Sequence, residues 1–544
     1  MDIVIKNGKV IDGTGNPWFK AHIGIDDGKI VEVSRHDIGG GAITIDAEGM
    51  VVTPGFINLH SHSGVTVIDG NPCENSLRQG LTTEIGGGDG RAYYGFKENL
   101  RPFIRGILRE YVGYDGEVDW LTLEEYRRRV EEKGIGVNIA PFCGHETIRR
   151  SSMGCPNEYW GGRWNRPPTP EELLEMKRLL DECMRHGAFG LATGIEYTPE
   201  VTMDELVELC KVVVRYGGVH ISHIRSESTF LVEAVREIIE LSRITGVPSC
   251  INHHKGYNPG NWGKVSETMR LLRRAREEGI DIICDMYPWV YTEINKLKDR
   301  IPIGRGLNLE ETLKLLDNYE SWRKIKDELK KRHERFIPEL NKRLSPPLVN
   351  NYIAHSKSHP EVEGKNLEEA AEVMGLSDGW EALRELYLSD GGESYVACRM
   401  CEDDLITVLR EPFTTVSTDS CCELNPEKYG PWHPRGWGTY PLIIERYVRK
   451  LKVLSLEDAV RKMSSLPASF LGMRDRGLIR EGMWADIVVF KPGEVRNLAT
   501  YSDPHRYPEG IEYVIVNGEL VIDRGKYTGN LPGRVLRKSG TRFN

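Results

Sequence analysis

Eight short apolar, β-branched runs recur through the middle of the chain, and an amphipathic helical pattern follows each. They are "VVTPGFINLHSH" (51–62), "TTEIGGGD" (82–89), "GVNIAPFCGH" (136–145), "AFGLATGIEY" (188–197), "GGVHISHIR" (217–225), "PSCINHHK" (248–255), "IDIICDMYPW" (280–289) and "FTTVSTDS" (413–420). Helix candidates such as 169–187 lie between them, with a threonine cap, glutamates in the first turn and a closing glycine. Strands that alternate with helices build parallel sheets, and eight of them are the number that closes a (β/α)₈ barrel. The expected fold is therefore α/β, a TIM-like barrel over 55–475. An open doubly wound sheet is the competing arrangement.

Two regions break the alternation. Residues 1–54 and 476–544 read as short strands joined by Asp-Gly and Asn-Gly turns, and are expected to meet as one composite β-sandwich beside the barrel. Residues 290–372 are charged and helical, too long for an ordinary connection, and are expected to form a lid inserted after strand seven.

Composition excludes several classes of partner. The net charge of −9 is spread along 544 residues, which argues against nucleic acid and anionic membranes. No apolar run has the length of a membrane span, and the N-terminus lacks the layout of a signal peptide. Eleven cysteines at irregular spacing suggest reduced thiols and a cytoplasmic setting. The close set Cys398, Cys401, Cys421 and Cys422 has too weak a spacing to carry a structural zinc site. Homo-oligomerisation is left open.

Active sites of such barrels lie where the strands end, and the polar residues fall there. Strand one ends in His60 and His62, strand two in Asp89, strand three in His145, strand five in His223, strand six in His253 and strand eight in Asp419. Alternate residues of an extended chain point the same way, so His60 and His62 project together. Imidazoles and carboxylates converging on one mouth are the donor set of a Zn²⁺ site.

In this order the motifs resemble the amidohydrolase superfamily, and within it the D-aminoacylase branch. "PGFINLHSH", "GHETIR" (144–149), "GLATGIEYTP" (190–199), "SHIRSES" (222–228), "INHHKG" (251–256), "STDS" (417–420) and "HPRGWGTYP" (433–441) all match. The resemblance implies hydrolysis of N-acyl-D-amino acids with one or two Zn²⁺ ions, or another divalent metal. His223 and His253 would hold the tight ion, His60 and His62 a second position, and Asp419 would be ligand and general base. Asp89 stands where a cysteine is usual, as Asn58 does for an aspartate. By the same resemblance Lys255 would pair with the substrate carboxylate, helped by Tyr197 and Tyr287. Arg225 could bind that carboxylate or brace its strand, and His145 could hydrogen-bond the scissile carbonyl, orient the substrate or serve as a structural turn residue. A cyclic-amide hydrolase is the first alternative, although such relatives place a carboxylated lysine after strand four, where this chain has Glu196. A non-enzymatic barrel is the second, although such proteins lose the strand-end donors kept here.

Overall fold

The computed structural model describes residues 1–154, 166–301, 303, 307–334, 347–422 and 433–538. Its centre is the barrel. The parallel strands run, in order, Phe56–Asn58, Leu81–Gly86, Asn138–Pro141 (continued by Cys143–Gly144), Gly190–Gly194, Val219–His223, Ser249–Ile251, Ile282–Met286 and Thr414–Val416. Each pairs with its neighbour in the parallel sense. The ring closes between strands eight and one. There the Asp419 amide donates to the His60 carbonyl at 3.1 Å, and the His62 amide to the Ser420 carbonyl at 2.9 Å. Closure therefore occurs at the very residues that carry three expected donors.

The helices form for local reasons. Pro170–Arg185 starts with a reciprocal cap between Thr169 and Glu172, and its buried face is Met176, Leu179, Leu180, Cys183 and Met184. Met203–Arg215, Leu231–Thr245 and Lys264–Glu277 repeat the design around the ring.

Strands from both chain ends share one nine-stranded sheet, in which Ile3–Val10 and Val51–Pro54 lie beside Ile487–Phe490 and Ile511–Val516. Its core gathers Ile5, Ile23, Ile25, Val52, Ile487 and Ile515. The run 51–62, read as one strand, is divided between the two layers. Val51–Pro54 belongs to the sandwich and Phe56–Asn58 to the barrel. Gly55 is the joint, where a Cβ would collide with the Thr82 side chain.

The inserted unit extends beyond its expected limit of 372. A core of Leu297, Trp322, Ile353, Leu367, Trp380, Leu383 and Val396 binds helices up to Gly379–Asp390. Its small sheet joins Asn295–Lys296, Tyr395–Ala397 and Tyr352–His355. Residues 302, 304–306 and 335–346 of the expected lid lie outside the described residues.

The far C-terminus leaves the sandwich. Leu536 donates to the Ile139 carbonyl and Ile139 to that of Arg534, at 2.7 and 2.8 Å. Strand three meets strand four only through Cys143 and Gly144, so its lower half has a free edge that this segment covers.

Candidate metal centre

Six expected donors meet at the C-terminal mouth of the barrel. His60, His62, Asp89 and Asp419 form one group and Asp89, His223 and His253 a second, with the donor atoms of each within 4.8 Å of one another. Asp89 belongs to both. Its Oδ1 lies 3.4 Å from His60 Nε2, 3.5 Å from His253 Nε2 and 3.7 Å from His223 Nδ1, while Oδ2 lies 3.7 Å from His62 Nε2. Asp419 Oδ1 is 3.3 Å from His60 Nε2 and 3.2 Å from His62 Nε2. No cysteine joins either group among the described residues, so every inward donor is nitrogen or oxygen.

Local backbone strain aims these side chains. Asp89, His253 and Asp419 have φ of 53°, 34° and 48°, in the left-handed region that residues with a Cβ seldom occupy. Each such residue costs on the order of 1–3 kcal/mol, and strain of this kind concentrates at functional sites. The turn it produces directs a strand's last residue into the mouth.

A second ring of carboxylates selects the ring nitrogens. Glu196 accepts from His223 Nε2 at 2.8 Å, leaving Nδ1 to face inward, and Glu227 accepts from His253 Nδ1 at 2.7 Å, leaving Nε2 inward. Outer carboxylates of this type orient a metal-binding imidazole and raise its basicity. Neither nitrogen of the buried His60 makes a hydrogen bond. Two imidazole nitrogens without partners, next to two carboxylates, are what a cation would satisfy, so the residues fit a divalent metal.

Electrostatics agree. Burial alone would push the Asp89 carboxyl up, but the imidazoles of His60 and His223 hold it well below the usual carboxylate range. Burial opposes ionisation of Asp419 too, yet Arg435 and His253 hold it well below that range. Both therefore stay anionic.

Beside the donors is a cationic slot. Lys255 Nζ sits 5.4 Å from the Tyr287 ring centre and Arg435 Cζ 4.8 Å from it. The Tyr287 hydroxyl is buried without a hydrogen-bond partner, and burial pushes its pKa up to about 12. Lys255 also donates to Glu227 at 2.6 Å and to the His253 carbonyl at 2.9 Å. Arg435 Nη1 donates to Asp419 Oδ2 at 2.6 Å. The Tyr197 ring centre is 4.6 Å from that of His223, at the rim of the same mouth.

Two expected substrate contacts are elsewhere. His145 opens the helix His145–Met153, fully buried, and shares Glu205 with Arg149. It anchors that helix rather than reaching the donors, because the buried Glu205 carboxylate, which also takes Arg149, holds it. Arg225 grips Glu237 and the carbonyls of Pro199 and Val201, bracing the loops after strands four and five. His220 and His254, also near strand ends, are driven by burial down to about 3 and stay neutral. They donate to or accept from Thr193 and Thr268 within the wall. No disulfide joins the ten cysteines among the described residues, and Cys398, Cys401, Cys421 and Cys422 form no donor group.

Sequence reasoning missed Arg435, Glu196 and Glu227. Glu196 and Glu227 lie in the loops after strands four and five and meet histidines of the next strand, so only Arg435, two residues after His433, had a local signal.

A family model described as "Amidohydrolase family" matches residues 414–522. The N-acyl-D-glutamate deacylase of Alcaligenes xylosoxydans xylosoxydans is 29% identical over 543 residues, 99% of this chain and 97% of that protein. The D-aminoacylase of the same organism is 29% identical over 541 residues, 99% of this chain and 98% of that protein. The crystal structure of N-acyl-D-glutamate deacylase from Bordetella bronchiseptica, with zinc and a phosphonate mimic of the tetrahedral intermediate, superposes with a TM-score of 0.74. It is 28% identical and covers 99% of both chains. Over nearly its whole length the chain is thus similar to deacylases of the amidohydrolase superfamily. As in an amidohydrolase, the donors stand at strand ends of a TIM-like barrel that carries a β-sandwich built from both chain ends.

Proposed function

We propose that this protein is a metal-dependent hydrolase that cleaves the amide bond of N-acyl-D-amino acids. The observation that carries the reading is the cationic slot of Lys255, Arg435 and the unpartnered Tyr287 hydroxyl, set beside the two donor groups. A carboxylate seated there accepts from the hydroxyl and adds a contact to each cation beyond its pair with Glu227 or Asp419, which places the neighbouring amide towards the donors. The full-length relatives act on N-acyl-D-amino acids by name, and that supports both the acyl substrate and its D configuration.

His60, His62, Asp89, His223, His253 and Asp419 would hold Zn²⁺, as one ion or as two that share Asp89. An all-nitrogen and oxygen set also accepts harder divalent ions. When bound, the metal supplies Lewis acidity, which polarises a carbonyl and brings the pKa of a water towards neutrality. The chain's own groups do the rest. Asp419 divides its oxygens, Oδ1 towards the histidines and Oδ2 held by Arg435, so a proton acceptor stands fixed at the mouth. It takes a proton from the attacking water and returns it to the leaving amine. The inserted unit reaches the mouth where the Tyr291 carbonyl meets His433 Nε2 at 3.0 Å, two residues before Arg435. No helix among the described residues is long and apolar enough to cross a membrane, and the free thiols support a reducing cytoplasm.

The test is a panel of N-acetyl-D- and L-amino acids with hydantoins alongside, assayed with added Zn²⁺. Turnover of the D series is expected. Turnover of hydantoins alone would overturn the reading.

A further inference from the structure

Behind the donors lies a buried carboxyl that the proposed chemistry does not use. Glu84, in strand two, is 1% exposed and pairs in register with Asn58 of strand one and Ile139 of strand three. No ion pair with a cation is found for it among the described residues. Its oxygens are instead satisfied by small donors. Ser76 Oγ donates to Oε1 at 2.5 Å, Ser63 Oγ donates to Oε2, and the Cys422 thiol approaches Oε2 at 3.7 Å. The Ser61 hydroxyl, nearby, donates instead to the Ile85 carbonyl at 2.7 Å. A buried carboxyl with no cation is costly, so its retention calls for a reason.

Its partners supply one. Ser63 follows His62, and Cys422 is three residues after Asp419. Ser63 joins the two arms directly, since its hydroxyl both donates to Glu84 and accepts from the Cys422 amide at 2.9 Å. One carboxyl thus ties the strand-one arm, bearing two donors, to the strand-eight arm, bearing a third. None of its partners touches His223 or His253. Among the described residues the two arms are joined up to His62 by the backbone hydrogen bonds at Asp419 and Ser420 and by the Asn58 side chain, which donates to Thr418 Oγ1 at 2.7 Å and accepts from the Thr418 amide at 3.0 Å; the Glu84–Ser63 link adds a clamp beyond His62.

We propose that Glu84 is a positioning residue that fixes the spacing between the His60/His62 arm and Asp419, and so sets the metal affinity of that donor group alone. The inference rests on the metal reading above. Outer partners of metal ligands typically change affinity 10–100-fold, which sets the size of effect to look for.

The test measures zinc bound per chain against graded free Zn²⁺ for the wild type, Glu84→Gln, Ser63→Ala and Ser76→Ala, with Val130→Ala as a remote buried control. Thermal midpoints are recorded on the metal-free proteins. Glu84→Gln and Ser63→Ala should weaken, by at least about tenfold, the same ion that His62→Ala loses. Any ion held by His223 and His253 should keep its midpoint, and Ser76→Ala, which leaves Ser63 linked to both Glu84 and the Cys422 amide, should leave both unchanged. Should Glu84→Gln fail to fold, Ser63→Ala decides, because it keeps the carboxyl on Ser76. Lower thermal midpoints with unaltered zinc binding in both variants would make Glu84 merely structural and overturn the proposal. A wild type that binds no zinc defeats the metal reading itself, a result separate from the variants' behaviour.

Discussion

Lys255 and Arg225 carry the same charge and follow neighbouring strands, yet they do different work. Lys255 is 5% exposed and faces Tyr287 across the mouth, whereas Arg225 is partly exposed and committed to Glu237 and two carbonyls. Lys255→Met should raise KM and lower kcat/KM about 100-fold, the loss of one charge-assisted contact in a dry site. Arg225→Ala should leave kcat/KM within about twofold and lower stability by about 1–2 kcal/mol, read from a denaturant midpoint. Equal effects of the two on KM would contradict the assignment. The sequence alone left Arg225 undecided because binding and bracing both place an arginine after strand five. Only the direction of its guanidinium separates them. The donors were legible for the opposite reason, since a strand end fixes where its last side chains go.

At the scale of elements, the strand count and the order of strand ends could be read from β-branched runs and capped helices. The outer carboxylates could not, because Glu196 and Glu227 meet their histidines only across the gap between two strands. The helix Leu456–Met463 shows another element-level feature, a lysine driven beneath strand eight. Lys462 is fully buried and donates to the carbonyls of Glu411 and Thr414, and burial lowers its pKa to about 8. Since the unfolded chain then binds more protons than the folded one, stability rises with pH between about 8 and the unfolded lysine value near 10.5. The full gain is about 3 kcal/mol. Chemical denaturation at pH 7.5 and pH 10 should show this slope in the wild type, and Lys462→Met should remove its share. An identical pH slope in the two proteins would contradict the burial argument.

In the whole molecule, three long-range assemblies surround the barrel. The sandwich joins strands more than 400 residues apart, through Val51–Pro54 and Ile487–Phe490. The C-terminal segment covers the open edge of strand three. The inserted unit builds a core of its own and adds residues after Val290 to the rim. Sequence patterning foretold the first but not the second, because nothing local in 532–538 says which edge is free. It placed the end of the insertion too early because Gly379–Asp390 reads as any surface helix. What these assemblies hold in common is the meeting of six donors from five strands. The most direct test strips the protein with a chelator and returns Zn²⁺ in steps, following bound metal and hydrolysis of N-acetyl-D-amino acids together. Activity should vanish on stripping and return in step with the first ions bound. Undiminished hydrolysis by metal-free protein, or a stripped protein that takes up no ion, would contradict the account.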